Sequence, residues 1–220
     1  MIRAEQFQGQ KTPFYFYDTE LLQKTLSDIN SNAGKFGYHV HYALKANCND
    51  RLLKIIKDNG LGADCVSGNE VKKALETGFT KDKIVFAGVG KNDEEINFGL
   101  QNDIFCFNCE SLQELEVINE IASRENKKAK VAIRINPNVN ANTHKYITTG
   151  LEENKFGISS TQLSVVIELL KHLPQIELIG LHFHIGSQIT DLSSFKSLCI
   201  KVNEIQAWFE QRNISFSHIN

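Results

Sequence analysis

Four side chains that can act in catalysis lie toward the carboxyl ends of predicted strands of this chain. They are a lysine, a carboxylate, a guanidinium and an imidazole, at Lys45, Asp64, Arg134 and His184. Lys45 comes after an alternating run at residues 39–43 that is typical of a half-buried strand. Its small and apolar neighbours would leave the ammonium poorly solvated, and desolvation favours the neutral, nucleophilic amine. A lysine whose tip reaches water from a strand end fits this stretch equally well.

Strand and helix patterns alternate along the chain. Strands are predicted near residues 39–46, 62–67, 83–88, 103–108, 130–136, 176–185 and 214–220, and helices near 50–58, 68–77, 93–101, 111–125, 161–172 and 193–212. This alternation with short links predicts a parallel sheet flanked by helices. Seven successive strands favour an α/β fold of the (β/α)8 TIM-barrel type, which we expect to be truncated before its last strand. A seven-stranded or open-sheet domain is the alternative.

The glycines argue against a nucleotide-binding fold. An open doubly wound sheet would carry a glycine fingerprint after its first strand, whereas residues 45–50 contain no glycine. The stretch Gly88-Val89-Gly90-Lys91 is too short for either phosphate-loop motif. We therefore expect no nucleotide to bind there.

Composition narrows the class of protein further. The 220 residues carry a net charge of −2 without long charged runs, so nothing indicates a nucleic acid or a membrane surface as partner. Five cysteines, an odd number, predict reduced thiols and a cytoplasmic location. Cys106 and Cys109 form a Cys-x-x-Cys without the second pair or histidines that zinc needs, so we expect no metal site.

The predicted strand ends suggest a cofactor. In a barrel, groups at the carboxyl ends of the strands meet at one mouth. A lysine able to form a Schiff base, an imidazole able to stack on a ring, and small residues suited to a phosphate, such as Gly186 and Ser187, together suggest pyridoxal phosphate.

Four motifs extend this argument to a resemblance. They are Tyr-Ala-Leu-Lys-Ala-Asn at 42–47, Gly-Ala-Asp-Cys-Val-Ser-Gly-Asn-Glu at 62–70, Asn-Lys-Phe-Gly at 154–157 and His-Phe-His-Ile-Gly-Ser-Gln at 182–188. In this order they resemble the alanine-racemase-type (fold-type III) pyridoxal enzymes, and within them the ornithine/diaminopimelate decarboxylase branch. Residues 140–150 are most similar to diaminopimelate decarboxylases. The resemblance covers nearly the whole chain.

The resemblance implies an activity, a cofactor and an assembly. The full-length protein would be a homodimer that uses pyridoxal 5′-phosphate to decarboxylate meso-2,6-diaminopimelate to L-lysine, the last step of lysine biosynthesis. Two alternatives stay open: a decarboxylase of the same fold for ornithine, arginine or carboxynorspermidine, and a non-catalytic homologue that binds pyridoxal phosphate. The 220-residue chain alone is expected to be inactive.

The resemblance also implies roles for four residues at the ends of the first and sixth predicted strands. Lys45 would form the Schiff base that holds the cofactor, and His184 would stack on the pyridine ring. Ser187, following Gly186, would bind the phosphate. Lys45 and His184 are thereby the implied catalytic residues.

Four more residues receive roles from the same resemblance. Asp64 would lie close to His184 and the cofactor face, with Glu70 in the same region. Arg134 would lie near the phenolic oxygen of the cofactor. Lys155 would be the lysine that crosses the dimer interface in related decarboxylases.

Several features of the resembled enzymes are missing from residues 1–220. They are a glycine loop for the phosphate, a Glu-x-Gly-Arg motif, a cysteine-containing motif and a C-terminal β-domain. We expect two parts in this chain. Residues 1–34 would contain a helix and an aromatic strand at 12–17, and this strand would pair with the β-domain. Residues 35–220 would form the incomplete pyridoxal-binding barrel.

Overall fold

Successive β/α units determine the strand order of the sheet, which a computed structural model describes for residues 4–137 and 156–220. The strands are β1 (His41–Ala43), β2 (Gly62–Cys65), β3 (Ile84–Phe86), β4 (Cys106–Cys109), β5 (Ala129–Asn136), β6 (Ile158–Ser159), β7 (Ile176–His182) and β8 (His218–Ile219). Their order is β1-β2-β3-β4-β5-β7-β8, with β6 paired to β5, and every described pairing is parallel. Apart from β6, strands that follow one another in the chain are neighbours in the sheet, as in a (β/α) barrel.

Helices connect the strands, and all but one of the described α-helices begin at a side-chain cap. The α-helices of the described residues are α1 (Thr19–Gly34), α2 (Asp50–Asp58), α3 (Gly68–Thr77), α4 (Asp93–Gln101), α5 (Leu112–Arg124), α6 (Leu163–Leu170) and α7 (Leu192–Glu210). Ser67 and Ser111 each accept a hydrogen bond from the backbone N–H three residues later. Asn92 and Glu95 form a complete capping box before α4. These caps satisfy N–H groups that a helix start leaves unpaired, so they fix where each helix begins.

The predicted elements are largely recovered, with two differences. The predicted bounds of α2, α3 and α4 coincide with the observed ones. The short β6 was not predicted. Residues 12–17, predicted as an aromatic strand that would pair with the β-domain, form no ladder with any described strand of this chain, and the pairing with the β-domain stays a prediction. The Phe7 ring packs against Phe14 and Phe16, with centroids 5.4 and 5.0 Å away.

The sheet has two different faces because side chains alternate along each strand. One face packs on the helices and holds the main core, with fully buried residues such as Phe86, Phe107 and Ile133. The opposite, concave face, called here the lumen, has a smaller apolar cluster of Val85, Cys106, Ala132 and Ile179. Two residues beyond Cys106 and Ala132 lie Asn108 and Arg134, which places polar side chains near the carboxyl ends of β4 and β5.

The cysteines belong to this packing. All five are unpaired, and Cys65, Cys106 and Cys109 are buried. Burial raises the pKa of the Cys106 thiol to about 12 and holds the pKa of the Cys109 thiol well above its usual value, so both stay protonated and unreactive. Within residues 4–137 and 156–220, no group of three His, Cys, Asp or Glu side chains is arranged to hold a metal ion. No helix of the described residues combines the length and apolar character needed to cross a membrane.

Close approach of β7 and β8 generates a first prediction. A Cβ at Gly180 would overlap the carbonyl O of His218, whose backbone cannot move without breaking the ladder. Gly180→Ala should therefore lower the free energy of unfolding by roughly 1–3 kcal/mol, as overpacked interiors do. Urea unfolding measures this. The control is Gly34→Ala in α1, where a Cβ meets nothing within 4 Å. Equal stability of the two variants would contradict the register of β7 with β8.

Burial of lumen histidines generates a second prediction. Burial, then the charge of Arg134, lowers the pKa of His182 from 6.5 to about 3. The unfolded chain then binds more protons between these values, so the free energy of unfolding decreases as pH falls below 6.5. Asp64 has the opposite effect on the free energy of unfolding. Burial raises its pKa to about 6, so its contribution to stability increases as the pH falls. Comparing the wild type with His182→Phe isolates the contribution of His182 to the pH dependence of stability.

We expect the wild type to lose about 2 kcal/mol more stability than His182→Phe between pH 7 and pH 5. Urea unfolding of both proteins at both pH values gives this difference. Parallel losses would show that His182 is not held neutral in the folded state.

Candidate functional site

Lys45 lies in a 3-10 turn, Leu44–Ala46, that directly follows β1. The Leu44 carbonyl organises this turn, accepting from the N–H of Asn47 at 3.1 Å and from the Cys48 thiol at 3.0 Å. Leu44 itself is fully buried. Lys45 is exposed, which favours the second of the two alternatives, a lysine whose tip reaches water from a strand end. The backbone of Lys45 is fixed while its Nζ stays accessible.

The N-terminal segment contacts the same turn. Asn47 donates from Nδ2 to the Tyr17 hydroxyl at 3.0 Å, and the Tyr42 hydroxyl donates to the Asn47 carbonyl at 3.3 Å. Two tyrosines thus hold Asn47, two residues after Lys45. Sequence reasoning did not find this contact, because residues 12–17 were expected to pair with the C-terminal β-domain.

Asp64 lies beside this turn through strand register. It is the ladder partner of Ala43, the last residue of β1, and is half-buried. Burial raises the pKa of Asp64 to about 6; the positive charge of Lys45 opposes this rise and the negative charge of Glu70 adds to it. Lys45, Asp64 and Glu70 are therefore close enough to influence one another electrostatically.

Glu70 lies in the first turn of α3, where Ser67 is the N-cap. The Ser67 hydroxyl accepts from the Glu70 N–H at 3.3 Å, whereas the Glu70 carboxylate accepts from the Val66 N–H at 2.8 Å. In a capping box the Glu70 carboxylate would accept from the N–H of the N-cap, Ser67. Here it accepts from Val66, one residue earlier, and so links the end of β2 to α3. This contact holds its negative charge near Asp64.

Arg134 is buried on β5 and paired with a carboxylate that sequence reasoning missed. Its Nη1 donates to both oxygens of Glu110, at 3.0 and 2.8 Å, and only 8% of Arg134 is exposed. The guanidinium also lies 5.9 Å from the centroid of the Phe156 ring. A buried guanidinium requires such a partner because an isolated charge is costly to desolvate. Arg134 therefore lies at the predicted strand end as half of an ion pair.

Lys91 extends the buried charges. Its side chain is 1% exposed, and Nζ donates to the carbonyls of Gly88 and Asn108 and to Glu114 Oε1, at 2.8, 2.9 and 2.7 Å. The three ammonium protons thus have protein acceptors. The other Glu114 oxygen accepts from the Glu110 N–H at 2.6 Å. Spacing offered one signal, since Glu110 and Glu114 are four residues apart at the start of a helix.

A cleft of about 460 Å³ lies beside these charges and not over Lys45. Side chains of α4 and α5 line it, together with Lys91, Glu110 and Phe156. It adjoins the charge network through Lys91, Glu110 and Glu114, and none of the predicted site residues that the structure describes lines it.

The end of β7 supplies the imidazoles. His182 is the ladder partner of Arg134, and its buried Nδ1 has no hydrogen-bond partner among the described residues. The half-buried His184 follows two residues later, close enough to help lower the pKa of His182. Gly186 adopts a φ of +125°, which a side chain would disfavour, and the exposed Ser187 follows it. Lys155 and residues 140–150 lie outside the described residues.

These groups suit a phosphorylated pyridine aldehyde. An accessible primary amine at Lys45 can form a Schiff base, and Arg134 provides a cation for an anionic oxygen. The left-handed glycine at Gly186 followed by the Ser187 hydroxyl suits a phosphate. Asn108 Nδ2 on β4 and His182 Nδ1 on β7 are buried and have no hydrogen-bond partner in the described part of the chain. The donor set fits pyridoxal phosphate.

Comparison with known proteins supports the same chemistry. Residues 21–219 match the family described as pyridoxal-dependent decarboxylase, pyridoxal binding domain. A diaminopimelate decarboxylase of Bacteroides thetaiotaomicron is 56% identical over 98% of this chain and 56% of its own length. The crystal structure of diaminopimelate decarboxylase from Helicobacter pylori complexed with L-lysine superposes with a TM-score of 0.89 at 40% identity, covering 98% of this chain and 55% of that one.

A more distant structure shows how widely the fold extends. The arginine decarboxylase of Paramecium bursaria Chlorella virus has a TM-score of 0.74 at 23% identity, covering 90% of this chain and 51% of that one, which shows the fold alone. This chain spans about half the length of the curated relatives it matches. The barrel fold and the pyridoxal cofactor predicted from sequence are confirmed. The chain belongs to the pyridoxal-dependent decarboxylases and carries their pyridoxal-binding domain.

Proposed function

We propose that the full-length protein is a diaminopimelate decarboxylase, which removes one carboxylate of meso-2,6-diaminopimelate as carbon dioxide and releases L-lysine. The observation that carries this proposal is the 56% identity over 98% of the chain to a diaminopimelate decarboxylase. The similar Helicobacter pylori enzyme was solved with L-lysine, the expected product. An arginine or ornithine decarboxylase is disfavoured, because such structures share only 23–24% identity with this chain.

The residues at the strand ends would divide the work of holding the cofactor. Lys45 would attach it through Nζ, and Gly186 with Ser187 would bind its phosphate. His184 would lie against the ring, and Arg134 would face an anionic ring oxygen. When bound, pyridoxal phosphate supplies the electron sink that accepts the electron pair left by the departing carboxylate.

Asp64 is suited to proton exchange beside Lys45. A carboxyl group with a pKa of about 6 is mostly ionised at neutral pH but accepts a proton at little cost. The positive charge of Lys45 lowers that pKa, so the proton affinity of Asp64 responds to the charge on the Lys45 amine. Glu70 would support this role by raising the proton affinity of Asp64.

The assembly and location of the protein are also proposals. We infer a homodimer from the resemblance to ornithine/diaminopimelate decarboxylases, with Lys155 at its interface. Five unpaired cysteines support a reducing, cytoplasmic environment. The division into residues 1–34 and 35–220 belongs to the same proposal; the Asn47–Tyr17 hydrogen bond supports functional contact between the two parts.

Covalent capture tests the role of Lys45. The full-length protein is incubated with pyridoxal phosphate, reduced with borohydride, digested and mapped by mass spectrometry. We expect the pyridoxyl group on Lys45 and not on Lys91, whose Nζ is buried and bonded to three acceptors. Lys45→Ala should remove the label and the release of lysine. Unchanged labelling of Lys45→Ala would contradict the assignment.

The environment of Asp64 gives a second test. Removing the negative charge with Glu70→Gln should lower the pKa of Asp64 below its value of about 6, whereas Lys45→Met should raise it. Carboxyl carbon chemical shifts followed by NMR across pH report both changes. Glu76→Gln, on the exposed side of the same helix, is the control and should leave the titration unchanged. An Asp64 titration that is unchanged in both variants would show that the three groups are not neighbours.

A further inference from the structure

Arg134 is the first of four largely buried charges that lie in a row. Arg134 pairs with Glu110, the Glu110 N–H bonds to Glu114, and Glu114 pairs with Lys91. We propose that Glu110 is a positioning residue that fixes Arg134 at the cofactor site, and that Lys91 and Glu114 anchor Glu110. This inference rests on the proposed function, because it concerns how that site holds its cofactor.

The contact between Glu110 and Arg134 restricts the guanidinium. Both Glu110 oxygens lie within 3.0 Å of Arg134 Nη1, so the carboxylate binds one nitrogen of the guanidinium group through two hydrogen bonds. The two side chains are 6% and 10% exposed, which leaves little water to compete for either charge. An ion pair of this burial is held more rigidly than a surface pair, because separating the charges would leave both desolvated.

Glu110 is fixed in turn by the start of α5. Its backbone N–H donates to Glu114 Oε2, and the Glu114 N–H donates to the Ser111 hydroxyl at 3.2 Å. Glu114 therefore closes a loop onto residue 110 with one oxygen and binds Lys91 with the other. Lys91 ties this carboxylate to the ends of two strands, through the carbonyls of Gly88 after β3 and Asn108 in β4.

The charges balance within the row. Two cations and two carboxylates leave no net charge, so the row is tolerated inside the protein only as a complete set. Apolar side chains of similar size would pack such a site at no lower stability. The arrangement is thus better explained by the need to hold Arg134 in place than by its contribution to folding.

The row ends where the predicted cofactor groups lie. Arg134 is the ladder partner of His182, and His184 follows that histidine by two residues. Shifting the guanidinium would move a positive charge relative to both imidazoles and to the ring that His184 would contact. Glu110 should therefore affect cofactor binding without touching the cofactor itself.

Cofactor affinity of the full-length protein tests this inference. Glu110→Asp keeps the charge but withdraws the carboxylate by one methylene, so Arg134 can shift. We expect the dissociation constant for pyridoxal phosphate, from absorbance titration, to rise at least tenfold, with a displaced absorption maximum of the bound cofactor. The control is Glu168→Asp, in an exposed pair with Lys171, which should change neither quantity.

A second variant tests the inference even where Glu110→Asp does not fold. Lys91→Met combined with Glu114→Gln removes one buried pair together, preserves an acceptor for the Glu110 N–H and leaves Glu110 and Arg134 intact. We expect a folded protein with weakened cofactor affinity and the same spectral displacement.

The outcomes separate the two claims. A wild-type protein that captures no cofactor on Lys45 would remove the proposed function and this inference with it. A wild type that binds normally, with wild-type affinity and spectrum in folded Glu110→Asp or in the double variant, would overturn the inference and leave the proposed function standing.

Discussion

The shared register of the parallel strands is the constraint on which this site depends. Ala43 lies beside Asp64, and Arg134 lies beside His182, because each pair is matched across a ladder. Residues so matched project to the same face of the sheet, so strands that are distant in sequence deliver their polar side chains to one lumen. A one-residue slip would send Asp64 or Arg134 to the helix-facing core, where neither charge could be accommodated.

Burial then determines how each group behaves. Asp64 is half-buried between a cation and an anion, and its pKa rises to about 6, near the range in which a carboxyl group can exchange protons. Arg134 is buried deeply enough to require Glu110. Lys45 is exposed, and its position is determined by its backbone turn and by neighbours such as Asn47. The site thus combines an accessible amine with charged groups that are fixed by pairing.

The sequence predicted the parts of the site that follow from local pattern. Alternating strands and capped helices have short-range signals, so α2, α3 and α4 were located correctly. Lys45, Asp64, Arg134 and His184 were found because each ends a strand pattern. Partner choice was not predictable in this way. Glu110 and Lys91 are 24 and 43 residues from Arg134 in the chain, and only the fold brings their charges together. The exposure of Lys45 depends on a 3-10 turn that extends no strand or helix pattern.

The central claim is that the ends of β1 and β7 and the turn after β1 form one cofactor site. A crystal structure of the full-length protein grown with pyridoxal phosphate tests this most directly. Electron density should run continuously from Lys45 Nζ into the cofactor, with His184 against the ring and the phosphate at Ser187. A cofactor bound at residues 88–91, or held by any lysine other than Lys45, would contradict the account.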